Sequence, residues 1–234
     1  MTNVDEPTRI AMLIYPECTA LDLVAPHQIL ASAPNFEVDL IAKSRDPVVT
    51  DRRLSLVPDK SFGDAHEAYD IIMVPGATRP HVALDDPETI AFVAKIGANA
   101  KYVTSVCTGS LILGAAGLLN GYRATSHWVF KDFLTSFGAI PTEGRVVTDR
   151  NRITGGGITA GLDFGLQLAA VLRGNAFAKM MELLFEYDPD PPFGVGSPRN
   201  ADVETLGRAN ERAAPYATLV KDSVERFLRR SKPN

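Results

Sequence analysis

Short apolar runs of strand length, alternating with helical stretches, limit this 234-residue chain to few architectures. Arg9 to Tyr15 is one such run, ended by Pro16; in a second, Phe36 to Ala42, the residues Phe36, Val38, Leu40 and Ala42 fall at every other position. Tyr69 to Val74 runs into Pro75-Gly76, and Lys101 to Val106 runs into Cys107. Between them, Leu23 to Ala31 reads as a helix that tolerates Pro26 in its first turn. Asp86 and Pro87 open a helix reaching Ala98; Thr108 to Leu119 forms another, stopped by Asn120-Gly121, and Gly155-Gly156-Gly157 leads into a helix from Thr159 to Leu172. Val146-Val147-Thr148 and Arg152-Ile153-Thr154 flank Asp149-Arg150-Asn151 as a hairpin. Strands that are apolar throughout are buried on both faces, and strands alternating with helices pair in parallel through crossovers. The expected fold is α/β, a mostly parallel sheet covered on both sides.

A composition shift divides the chain. Pro189, Pro191 and Pro192, with Gly194 and Gly196 behind them, make 188–197 a linker that is not helical. After it, Val203, Leu206, Ala213, Ala217, Val220, Val224 and Phe227 recur at three- and four-residue steps, interrupted by Pro215. The expected organisation is an α/β domain over 1–198 and an amphipathic helical extension over 199–234, docked on the body or on a partner subunit.

Composition removes several classes of function. A formal charge of −4 argues against general binding to nucleic acid or anionic membranes. No run approaches the roughly 18 apolar residues of a membrane span, and the polar start Met1 to Pro7 does not read as a secretory signal. Two cysteines without C-x-x-C spacing and four scattered histidines point to no disulfide framework and no metal site. A reduced, cytoplasmic protein is expected.

Cys107 stands where a strand hands over to a helix, with Thr108, Gly109 and Ser110 small enough for a tight turn. This is the setting of a nucleophile elbow, although G-x-S-x-G itself is absent. Unpaired N–H groups at the helix start would favour thiolate over thiol. A buried structural cysteine fits the same spacing. Ligands in open α/β sheets bind at the carboxyl ends of the strands, so other turns should meet Cys107 there. Asp22, between Leu21 and Leu23, is either an acid with a raised pKa or the N-cap of the following helix. The N–H groups of Gly76 and Ala77 are candidates to hold developing negative charge, or they form a plain turn. Gly155-Gly156-Gly157-Ile158 brings Gly156 and Ile158 to the same edge. His127 is either a partner for the cysteine or a helix-capping residue, whereas His27, His66 and His81 read as surface residues and Cys18 as incidental.

These segments together resemble the ThiJ/PfpI superfamily, the cysteine-elbow branch of the glutamine-amidotransferase-like fold. The likeness rests on Leu21 to Pro26, Val74-Pro75-Gly76, Tyr102 to Trp128, Thr154 to Asp163 and Pro191-Pro192-Phe193 with Gly196-Ser197-Pro198. The Asp22 segment and the Pro-Pro-Phe region point to its isonitrile-hydrating members. Many members carry Glu in the first loop and His directly after the cysteine; here Asp22 and Thr108 stand at those places, and Ala77 replaces a common second glycine. The resemblance implies a flavodoxin-like three-layer sandwich and cofactor-free hydration of a small-molecule isonitrile to an N-substituted formamide. It implies Cys107 as nucleophile and Asp22 as proton donor, with Thr108 beside them, and Gly76, Ala77, Gly156, Ile158 and His127 around the substrate. It also implies a homodimer. The rival readings are a glyoxalase-like or amidase enzyme and a redox-sensing or regulatory protein. About thirty-six residues after Pro198 are too few for a helix-turn-helix module.

Overall fold

The computed structural model describes residues 7–230. Residues 1–6, most of the polar start discussed above, and 231–234, the end of the C-terminal extension, lie outside the described residues.

Seven strands form the central sheet: β1 (Thr8–Leu13), β2 (Phe36–Ala42), β3 (Lys60–Ser61), β4 (Ile71–Val74), β5 (Tyr102–Val106), β6 (Val146–Asp149) and β7 (Arg152–Gly155). Their order across the sheet is β6-β7-β5-β4-β1-β2-β3. Every pairing is parallel except β6 with β7, the expected hairpin, which turns at Arg150 with φ of 54°. The chain leaves β1 toward β2 and then returns to the other side at β4. The carboxyl ends of β1 and β4 therefore flank a topological switch point, where open sheets place their ligands.

Right-handed crossovers running in opposite directions put their helices on opposite faces. Helix α1 (Ala20–Ala31) packs with α5 (Ala160–Arg173) on one side, and α5 in turn with α6 (Asn175–Leu184). On the other side lie the short α2 (His81–Leu84), α3 (Pro87–Asn99) and α4 (Gly109–Ala115). The core is the sheet itself: β4 is buried at every residue and β5 at all but its first. This is the flavodoxin-like three-layer sandwich.

Several boundaries differ from the sequence reading. Helix α1 starts at Ala20, so Asp22 lies inside it and Thr19 takes the N-cap position; Asp22 is not the cap. Pro26 is consequently in the second turn, where its missing N–H leaves the Asp22 carbonyl without its usual helical donor. The position is set by packing, because α1 lies close against Gly161 and Gly165 of α5, and Pro26 is at that contact. Helix α4 ends at Ala115 rather than Leu119, ahead of Gly117 with φ of 76°. Helix α6 follows Gly174 and was not legible in the sequence.

The C-terminal stripe forms one helix, α7 (Val203–Arg230), which continues through Pro215. Val220, Ser223 and Val224 are buried against the body. Ser223 Oγ donates to Asp85 Oδ1 at 3.0 Å and Arg226 Nη2 to Asp85 Oδ2 at 2.6 Å, pinning α7 to the end of α2. Phe227 meets Phe137 edge to face at 5.5 Å. Among the described residues no helix is long and apolar enough to cross a membrane.

Candidate active site

Cys107 has φ of 57°, a left-handed conformation that a residue with a Cβ holds only when its surroundings enforce it. The enforcement is visible. Its N–H continues the sheet to the Gly155 carbonyl at 3.1 Å, while its own carbonyl accepts from Ser110 Oγ and Ser126 Oγ, each at 3.1 Å. The two serines clamp the elbow, and of these Ser126 carried no signal in the sequence. Gly109, two residues on, allows the turn to press against β4: a Cβ there would come within 2.1 Å of the Val74 carbonyl.

The turn after β4 wraps the cysteine. A Cβ on Gly76 would lie 2.4 Å from the Thr108 nitrogen and 2.8 Å from Cys107 Cβ, so only glycine fits. Tyr15 O–H holds the Pro75 carbonyl at 2.9 Å, and Thr19 N–H holds the Gly76 carbonyl at 2.8 Å. Cys18, incidental by sequence, is fully buried and bridges Ala77 through its backbone. Tyr15 and Thr19, both in the turn between β1 and α1, belong to the site's frame and were missed because each is unremarkable locally.

The N–H groups expected to greet a substrate are already engaged. Gly76 N–H donates to Asp22 Oδ2 at 2.9 Å, and Ala77 N–H donates to Thr108 Oγ1 at 2.8 Å. The Thr108 hydroxyl in turn donates to the Ala77 carbonyl at 3.0 Å. The sequence expectation of free donors at residues 76 and 77 is corrected by these pairings. The turn instead fixes Asp22 and Thr108 on either side of the cysteine.

Asp22 is wholly buried. Its Oδ1 has no hydrogen-bond partner, and the Asp22 carboxyl and the Cys107 thiol each shift the other's proton affinity. Burial pushes the Asp22 carboxyl up to about 7; the Gly76 N–H and the thiol oppose this, and Asp51 adds a smaller upward push. Burial, then the Asp22 charge, also push the Cys107 thiol well above its ordinary value, against the Thr108 N–H. The expectation that the helix start alone would make a thiolate is therefore corrected. The thiol keeps its proton at neutral pH, and the Asp22 carboxyl exchanges its own around pH 7, so the charge of the singly ionised pair lies on Asp22 rather than on sulfur.

Cys107 opens onto a cavity of about 310 Å³ whose walls include Ala77, Trp128, Val129, Phe130 and Ile158. His127 forms part of the wall. Its Nδ1 accepts from Val129 N–H at 3.4 Å, and burial lowers its pKa, so it stands as a neutral ring capping a turn. One side is closed by Ala209, Ala213 and Tyr216 of α7. The amphipathic spacing foretold that α7 has an apolar face; that this face roofs the cysteine was not legible. Gly156 lies instead along an adjoining polar cleft with Ser126, Arg145 and Gly157, apart from the Cys107 cavity.

A parallel α/β sheet with a strained cysteine at its carboxyl edge, one strand from the switch point, defines a class of protein, and sequence comparison names it. The chain belongs to the DJ-1/PfpI family, whose model matches residues 8–171. Isonitrile hydratase of Pseudomonas putida is 46% identical over 218 residues, covering 93% of this chain and 95% of that protein. The crystal structure of a ThiJ/PfpI family protein from Pseudomonas syringae superimposes with a TM-score of 0.91 at 49% identity, over 93% of this chain and 90% of the other. The transcriptional regulator CdhR of Pseudomonas aeruginosa is 29% identical over 71% of this chain, but the match takes in only 51% of the regulator.

Proposed function

We propose that this protein is an enzyme that hydrates isonitriles to N-substituted formamides without a cofactor. The observation that carries the reading is the Cys107 thiol, which opens onto a mainly apolar cavity and is electrostatically paired with the buried Asp22 carboxyl. The likeness to the P. putida hydratase along nearly the whole chain supports it.

Asp22 takes the thiol proton, which moves within the pair without changing its net charge. The thiolate attacks the terminal carbon of R–N≡C, and the proton passes from Asp22 to that carbon, giving a thioimidate, R–N=CH–S–Cys107. Water then adds to the same carbon while a proton goes to nitrogen. The tetrahedral adduct collapses: the C–S bond breaks, its hydroxyl proton passes through Asp22 to sulfur, and the formamide leaves. Thr108 N–H steadies the sulfur charge in each step. An isonitrile is small and weakly polar, as an apolar cavity requires.

The buried, 4%-exposed Cys107 with a raised pKa is a poor peroxide target, which weighs against redox sensing. Incubation with cyclohexyl isocyanide and product analysis tests the reading. N-cyclohexylformamide is expected, and its absence across several alkyl and aryl isonitriles would overturn it. The proposal includes a cytoplasmic homodimer; sedimentation equilibrium checks the assembly, and a monomer would contradict that part.

A further inference from the structure

Hydration needs a second reactant, water, placed against the thioimidate carbon, and Asp22, which serves the sulfur and is not among the residues lining the cavity, does not fix where that water stands. A second carboxylate stands near the cavity. Asp51 sits on the turn of a hairpin formed by Val48–Val49 and Ser55–Leu56. The hairpin is tied to the β1 turn by Glu17 N–H to the Val49 carbonyl at 2.9 Å and Asp51 N–H to the Cys18 carbonyl at 3.2 Å. Asp51 Oδ2 accepts from Thr19 Oγ1 at 2.9 Å and from Thr78 Oγ1 at 2.7 Å, while its Oδ1 is buried without a partner.

Thr19 and Thr78 both line the Cys107 cavity. A hydroxyl has one hydrogen, and here each gives it to Asp51. Toward the cavity the two threonines therefore present lone pairs only. A water bound to both must donate to both, and its own lone pairs then face away from them, into the space above Cys107. That is the orientation a nucleophilic water needs. Asp51 also borders an outer cleft of about 490 Å³ that shares Thr78 and Tyr216 with the cavity, so the Asp51 side of the site adjoins solvent.

We propose that Asp51 is a positioning residue for the hydrolytic water, acting through the hydroxyls of Thr19 and Thr78, a role that rests on the hydration reading above. Asp51 takes no part in attack on the isonitrile and acts only when water adds to the thioimidate: the C–O bond forms, the water then lets go of one threonine and gives that proton to the imidate nitrogen, and C–S cleavage follows.

The test is quenched-flow kinetics with cyclohexyl isocyanide, reading formamide by chromatography and the Cys107 adduct by intact-protein mass. Wild-type protein that makes no formamide brings down the hydration reading itself. Where wild type turns over, Asp51→Asn is expected to form the adduct within about threefold of the wild-type rate. It should release formamide on the order of tenfold or more slowly, so that the adduct becomes the main steady-state species. Thr78→Val should accumulate adduct in the same way, with Thr78→Ser restoring release, and this pair carries the test if Asp51→Asn fails to fold. Loss of adduct formation and release in equal measure, or no change in either, would overturn the proposal.

Discussion

At the scale of single residues, the proposed chemistry turns on one proton shared between Cys107 and Asp22. Cys107→Ala and Cys107→Ser should abolish formamide production, and substantial remaining turnover would rule out a covalent route. Asp22→Asn should lower kcat roughly 10²- to 10⁴-fold, the span of a lost general base. Because Asp22 must be ionised to take the thiol proton, kcat/KM should rise with pH through about 7 and then level, a profile that belongs to the pair. Stability should move the other way. The folded carboxyl binds its proton more tightly than an unfolded one, whose ordinary value is 3.8. Its contribution is thus fully present below about pH 4 and is lost as pH rises to about 7. Asp22→Asn has no such loss, so thermal melts should show the variant gaining on wild type between pH 4 and pH 7, with a constant gap above. A gap independent of pH would contradict the buried-acid assignment. Much of this residue scale was legible: the small residues after Cys107 and the leucines around Asp22 declare a tight turn and an apolar setting. The serine clamp on the elbow was not, since Ser126 acts across nineteen residues of chain.

At the scale of elements, the site is a meeting of turns held by close backbone approach. Gly76→Ala forces a Cβ to within 2.4 Å of the Thr108 nitrogen. An overpacking cost of roughly 1–3 kcal/mol, or about 2–4 °C per kcal/mol, should appear in a melt together with loss of turnover. Helix α7 supplies the roof, and its fit decides what enters. Ala213→Phe should raise KM for cyclohexyl isocyanide about tenfold or more while changing that for methyl isocyanide only a few-fold. Equal effects on both would mean that α7 does not shape the pocket. The attachment of α7 to Asp85 is a separate handle: Asp85→Asn removes the charge that Arg226 and Ser223 hold, and amide exchange over 203–216 should quicken. Unchanged exchange would mean that burial of Val220 and Val224 alone keeps the helix in place. Sequence spacing revealed the apolar stripe of α7 but not its target, because amphipathicity marks a face without saying what covers it. The prolines show the converse: Pro26, read as a first-turn residue, sits in the second turn of α1, and Pro215, read as an interruption, lies inside α7 at an exposed position, so packing and exposure override local propensity.

At the scale of the whole molecule, the parallel sheet explains why residues 22, 76 and 107 meet at all. Strands β1, β4 and β5 are neighbours and run the same way, so the turns after them leave from one edge. The apolar strand runs made this edge legible, since runs too apolar for one solvated face demand a covered parallel sheet. The strand order, and with it the switch point, came only from the structure. So did the hairpin that carries Asp51, whose two-residue strands are too short to leave a periodic signal. The central claim remains that the chain's chemistry passes through a covalent bond to Cys107, prepared by Asp22. Rapid mixing with cyclohexyl isocyanide, acid quench and peptide mass mapping test it most directly. A mass gain of one isonitrile molecule is expected on the peptide holding Cys107, formed and consumed at rates that match formamide release; formamide made with Cys107 never modified would contradict a covalent route.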